Sequence, residues 1–203
     1  MRSIWSSLLA TFALSASAYA ASCSTLGPGG SDSFTGQFTI TARGTTGALT
    51  PLHLIKFLDV PGQSFHALSS GTSPTVIFTD FTMSGGLITA VTPPGSSFAA
   101  AQSLGAVHLD STDFPEPGPF LMWANTFAPP SEIFCAVPQT DGTTVLALNG
   151  HSDLFVLCQA DMSSSASNVR VIVYNATLSA YELGVETYNG NTCVSVTLLA
   201  VPA

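Results

Sequence analysis

The nearest approach to a hydrolytic centre in this sequence is Gly62-Gln63-Ser64-Phe65-His66, followed by Asp110, Asp113 and later His151. Serine, carboxylate, histidine is the chain order in which α/β-hydrolases present nucleophile, orienting acid and base. The pentapeptide departs from that pattern where it matters. It ends on His66 where the nucleophile elbow has glycine, and residues 65–68 read as strand where the elbow needs a following helix. A loop serine with scattered histidines accounts for the same residues.

Other chemistries fare no better. Aspartic proteases share one proton between two Asp-Thr/Ser-Gly turns, whereas Thr140-Asp141-Gly142-Thr143 has the order reversed and stands alone. Paired carboxylates for glycoside hydrolysis would have to come from Asp110, Asp113, Glu116, Glu182 or Glu186, with no spacing that pairs them. His108, Asp110, Asp113 and Glu116 offer oxygen ligands to a hard cation but lack the regular spacing and glycine of a calcium loop, so a solvated acidic loop is expected. No C-x-x-C spacing supports zinc. Trp123, Tyr174, Tyr181 and Tyr188 could form an aromatic platform for sugar rings, Trp123 first among them, although aromatics in β proteins are more often core. No catalytic residue, metal ligand or cofactor is therefore assigned, and the chain is expected to be noncatalytic.

Modification signals are clearer. Asn175-Ala176-Thr177 is an N-glycosylation sequon between two strand-like runs, and Asn191-Thr192-Cys193 has the rarer cysteine form. Met1-Arg2, an apolar run over residues 4–14 and Ala18-Tyr19-Ala20 make residues 1–20 a secretory signal, with the mature chain starting at Ala21. No later run holds the roughly 20 apolar residues of a membrane span. Four cysteines on an oxidising route read as two disulfides with three possible connectivities. The pairing expected is Cys135 with Cys158, on what read as neighbouring strands, leaving Cys23 with Cys193. The net charge of −8 disfavours nucleic acid and anionic membrane, both of which are bound through Lys and Arg.

The elements that position these residues are nearly all strands. Residues 22–33, rich in Gly, Pro and Ser, read as an extended leader held only at Cys23. Phe38, Ile40 and Ala42 then alternate with Gln37, Thr39, Thr41 and Arg43, the period of a half-buried strand. Further strand-like runs cover residues 52–58, 64–68, 75–83, 87–91, 105–109, 120–126, 133–137, 143–148, 154–158, 169–174, 177–183 and 193–201, separated by Gly, Pro, Asn and Asp. Only residues 97–104 invite a helix. The loop Asn149-Gly150-His151-Ser152-Asp153 between two apolar runs reads as a β-hairpin, and Leu154-Phe155-Val156-Leu157 does not alternate, so both of its faces should be covered. The expectation is one all-β domain over residues 34–203, an antiparallel sandwich with a barrel as the alternative.

Ile133-Phe134-Cys135-Ala136-Val137, Leu146-Ala147-Leu148-Asn149-Gly150, Phe155-Val156-Leu157-Cys158 and Val173-Tyr174-Asn175 together resemble a group of small secreted fungal proteins with a signal peptide and a β-rich body. Some looser relatives of that group are cell-wall proteins. The resemblance implies location and fold, and no activity. The function expected is a secreted, noncatalytic extracellular or cell-wall protein that meets wall polysaccharide or other matrix. A carbohydrate-binding module is the alternative, and a small hydrolase the weakest reading.

Overall fold

In a computed structural model the described residues are 23–60, 63–71, 76–93, 103–108, 120–124, 134–160, 169–176, 179–182 and 185–203. They form β1 (Phe34–Gly44), β2 (Leu49–Val60), β3 (Gln63–Ser70), β4 (Val76–Phe78), β5 (Asp80–Ser84), β6 (Leu87–Ala90), β7 (Ser103–His108), β8 (Phe120–Ala124), β9 (Phe134–Pro138), β10 (Thr144–Leu148), β11 (Phe155–Ala160), β12 (Arg170–Tyr174), β13 (Ser179–Glu182) and β14 (Val185–Pro202). All strand pairs are antiparallel. Six of the strands close a ring in which β1 pairs β2, β2 pairs β3, β3 pairs β12, β12 pairs β11, β11 pairs β14 and β14 returns to β1. The all-β architecture read from the sequence is thus present, in its barrel form. Strands β5 to β8 leave the ring at β1 and rejoin it at β3 and β12, while β9 and β10 form a hairpin on β14.

Strand alternation sets what the ring encloses. Successive side chains point to opposite faces, and Phe38, Ile40 and Ala42 of β1 are buried beside Leu52 and Leu54, Leu68, Phe155 and Leu157, Ile172 and Tyr174, and Val196, Leu198 and Ala200. Every strand of the ring contributes to this core. Fully burying one Leu, Ile or Phe side chain is worth about 1.5–3 kcal/mol, so this shared face is the principal term holding the ring shut. The opposite face of β11 and β12 is apolar as well: Cys158, Ala160, Val171 and Val173 pack with Ile55, Ala67 and Tyr188. That second cluster is why residues 154–158 do not alternate.

Several expectations are corrected. The loop after β10 is not the turn of a hairpin between β10 and β11. Asn149 and Gly150 do make a tight turn, with φ of 49° and 85°, and Leu148 and His151 exchange backbone hydrogen bonds of 2.9 Å. Beyond it, however, β10 pairs with β9 and the C-terminal part of β14, and β11 with β12 and an earlier part of β14. The hairpin lies instead at Thr140-Asp141-Gly142, between β9 and β10. The helix expected over residues 97–104 is contradicted at its end, where Ser103 and Leu104 belong to β7, and its remainder lies outside the described residues.

The disulfides follow from the same rearrangement. Cys23 is bridged to Cys135, and Cys158 to Cys193, in place of Cys135 with Cys158 and Cys23 with Cys193. Cys158 faces Cys193 because β11 and β14 run in register there, with Leu157 opposite Val194 and Val156 opposite Ser195. Their Cα atoms are 4.0 Å apart, the close approach of cross-strand residues. Cys135, on β9, packs with Cys23, Val137 and Ala147 in a separate small cluster. The bridges close loops with sequence separations of 112 and 35, worth about 5 and about 4 kcal/mol on the chain-entropy model.

The leader is also more ordered than expected. Residues 23–33 turn twice, through Leu26 N–H to Cys23 O and Gly30 N–H to Gly27 O, and Ser31 exchanges two backbone hydrogen bonds with Ala136 on β9. A Cβ at Gly30 would sit 2.2 Å from the Cys23 carbonyl oxygen. Gly30→Ala should therefore cost about 1–3 kcal/mol by overpacking and lower Tm in a calorimetric scan. Gly44→Ala, where the nearest atom would be an ordinary 3.8 Å away, should change it little. Peptide mapping without reduction should recover the Cys23–Cys135 and Cys158–Cys193 pairs; a Cys135–Cys158 peptide would contradict the strand order.

Candidate functional site

The described residues singled out for hydrolysis lie in different settings. Ser64 lies in the body of β3 opposite Asp59 and leads directly into His66, so no strand-to-helix turn presents it. His66 is 3 % exposed, with its ring edge-on to Phe78 at a centroid distance of 6.3 Å. His151 instead sits in the exposed turn after β10, its Nδ1 3.6 Å from Asp153 Oδ1. Asp110, Asp113 and Glu116 lie outside the described residues, and with them most of the expected oxygen-ligand set. Among the described residues no group of three or more His, Cys, Asp or Glu is placed to hold a metal.

The aromatic platform loses two members. Tyr174 is buried in the barrel core, donates its hydroxyl to Leu148 O at 3.1 Å and meets Phe155 edge-on. Burial, reinforced by the negative charge of Asp153, pushes its phenol above the ordinary value. Tyr188 is buried in the second cluster. Trp123 lies on β8 with its backbone between Gly105 of β7 and Ala67 of β3, and Tyr181 on β13.

What the fold does build is a polar depression on the outer surface of the ring. Arg43, Gly44 and Thr45 at the end of β1, Ser195, Val196 and Thr197 in mid-β14, and Asp153 ahead of β11 line an open hollow of about 210 Å³. Alternation explains its lining. Ala42 and Leu198 point into the core, so their neighbours Arg43 and Thr197, directly opposite one another, point outward. Arg43 Nη1 lies 3.5 Å from Asp141 Oδ2. Asp141 is itself held in the β9–β10 turn, where its Oδ1 accepts from Thr143 N–H at 2.9 Å and Thr143 Oγ1 at 2.6 Å. Those two bonds, with Arg43 behind them, hold its carboxyl below the usual carboxylate range.

The hollow thus presents a guanidinium, a carboxylate and three hydroxyls, those of Thr45, Ser195 and Thr197, groups that donate to and accept from hydroxylated ligands. Sequence reasoning missed it because its lining comes from three distant segments, and only the scarcity of basic residues, four in the whole chain, made Arg43 conspicuous. The Asn175 sequon follows β12 directly: Asn175 has φ 51°, is half-buried and donates its N–H to Leu154 O at 2.8 Å. No protein family, curated protein or solved structure matches the chain. The fold and surface define it as a two-disulfide, six-stranded antiparallel barrel carrying additional strands.

One titratable group inside the ring wall has a measurable consequence. His53, on β2 opposite Ser69, is held below the ordinary imidazole value by burial, against a hydrogen bond with the Gly71 backbone that pulls the other way. Because its folded pKa is lowered, the unfolded chain takes up the proton first as pH falls. The associated stability is complete above the unfolded value near 6.5 and is lost as pH drops from there through the folded value. Urea midpoints should fall between pH 7.5 and 5, and His53→Gln should flatten that part of the profile. An unchanged slope would show that His53 does not set it.

Proposed function

We propose that this chain is an exported, noncatalytic barrel of the extracellular space or cell wall, of the kind the fungal resemblance implies, whose outer surface meets polysaccharide. The observation that carries the reading is that all four cysteines are bridged, the state favoured outside the reducing cytosol. The amino-terminal signal pattern supports the same route. No helix among the described residues is long and apolar enough to cross a membrane, and the acidic balance disfavours phosphate-bearing partners. Asn175, at the bend after β12, is the expected glycan acceptor. The hollow around Arg43 and Asp153 supports the polysaccharide part of the reading, since wall glucans and chitin offer neutral hydroxyls and amides to such groups.

Expression of the full chain in a secreting eukaryotic host tests export. The protein should appear in the medium beginning at Ala21 and lose mass on deglycosylation unless Asn175 is replaced by Gln; an unprocessed intracellular chain would refute export. Sedimentation with insoluble chitin or β-glucan tests the partner. Asp153→Ala or Arg43→Ala should weaken retention about tenfold, the loss of one hydrogen bond to a charged group. Loss on Trp123→Ala alone would place the contact at β8 instead, and no retention of the native chain would remove polysaccharide as partner.

A further inference from the structure

The segment Asn189-Gly190-Asn191-Thr192-Cys193 is a bulge in β14. On one side of it Leu157 pairs with Val194, and on the other Gln159 pairs with Asn189, so β14 spends several more residues than β11 over the same stretch. The extra residues are held locally. Asn191 N–H donates to Asn189 Oδ1 at 3.0 Å, Thr192 Oγ1 donates to Asn189 O at 2.6 Å, and Gln159 N–H donates to Thr192 Oγ1 at 2.8 Å, replacing the ladder bond the bulge displaces. Asn191 is exposed, and Cys193 beside it is bridged to Cys158.

We propose that Asn191 is a second N-glycan acceptor, open only until the Cys158–Cys193 bridge closes. The inference rests on the exported reading above. An Asn-x-Cys sequon is read through the S–H of its third residue, and a bridged sulfur has no S–H to offer. Bridge formation also fixes the sequon in the bulge, with its backbone and the Thr192 hydroxyl already committed to partners within β14 and β11. Two reactions therefore compete for one nascent segment. In glycan transfer, Asn191 Nδ2 attacks the anomeric carbon of a lipid-linked oligosaccharide; the N–C bond forms, the C–O bond breaks, lipid pyrophosphate leaves and the amide proton passes to the transferase's base. In bridge closure, the Cys158 and Cys193 thiols give up two protons and two electrons to a disulfide oxidoreductase of the export route.

Geometry allows both products. Asn191 lies on the outside of the bulge, where a glycan extends into solvent, and the in-register pairing of Cys158 with Cys193 lets the bridge form as soon as β11 and β14 meet. Whichever reaction comes first decides the outcome for each molecule, so the exported protein is a mixture at Asn191.

The test uses the full chain carrying Asn175→Gln, produced in a glycosylating eukaryotic host. Glycopeptide mass spectrometry is applied to the medium and to the membrane-enclosed fraction, so that a variant held back by quality control still reports. The Asn175→Gln chain should be partly modified at Asn191. Adding Cys158→Ser, which leaves the Cys193 thiol free, should raise the modified fraction several-fold. Cys193→Ser, with a hydroxyl acceptor and no bridge, should raise it as well, whereas Cys193→Ala and Asn191→Gln should abolish it. Absence of modification at Asn191 in the Cys158→Ser chain, or occupancy equal to that with the bridge intact, overturns the proposal. A chain found only in the cytosol with residues 1–20 intact overturns the exported reading, and this inference with it.

Discussion

The constraint on which the rest of the structure depends is the length of β14. Eighteen residues of one strand pair with β1, β10, β11 and β13, so a single segment closes the ring, carries the β9–β10 hairpin and receives one of the two disulfides. Val196, Leu198 and Ala200 give it an inward apolar row, which fixes its register against β1 because a slip of one residue would turn that row outward. Closure has particular value for this composition. With 46 % hydrophobic and 8 % charged residues, the chain has few of the charges that usually protect open sheet edges from pairing with other molecules. A ring removes the edges of its own six strands by geometry, leaving β4 and β9 as the ends of the strand order, and much of the polar surface can then be left to Ser, Thr and backbone.

The two bridges occupy different places in that scheme. Cys158–Cys193 joins strands that are already hydrogen-bonded neighbours, at the end of the bulge where their register changes, and so secures the junction at which β14 is most distorted. Cys23–Cys135 ties the amino-terminal segment to the β9–β10 hairpin, whose ladder with the ring is two residue pairs between β10 and β14 and whose Phe134, Ala136, Leu146 and Leu148 pack into the ring's own core. The turns at residues 23–30 and the pairing of Ser31 with Ala136 extend the same attachment. One bridge thus secures the ring and the other its covering layer.

The strands were legible in the sequence, and their partners were not. Alternation from Phe38 to Arg43, the unbroken apolar run at residues 154–157 and the turn at Asp141-Gly142 all translate directly into local structure, because each depends only on residues close in the chain. Asn149-Gly150 is the instructive case. It makes the tight turn its sequence dictates, yet the strands on either side pair elsewhere, since β14, arriving from nearly forty residues downstream, offers a longer apolar partner. The disulfide pairing was misread for the same reason: Cys135 and Cys158 are close in sequence, but the strand order places β14 and β10 between β11 and β9. Likewise, the Arg43–Asp153 hollow is created by three segments meeting on the outer face of a closed ring, a property no single stretch of sequence carries.

Hydrogen exchange of the native protein, followed residue by residue, tests the closed ring most directly. If β14 completes the barrel, amides of Val196, Leu198 and Ala200 should exchange together with those at the centres of β1, β2, β11 and β12, as one slow cooperative set with a common opening free energy. Rapid exchange along β14 while the other five ring strands remain protected would contradict the account, since it would leave those strands as an open sheet with two free edges.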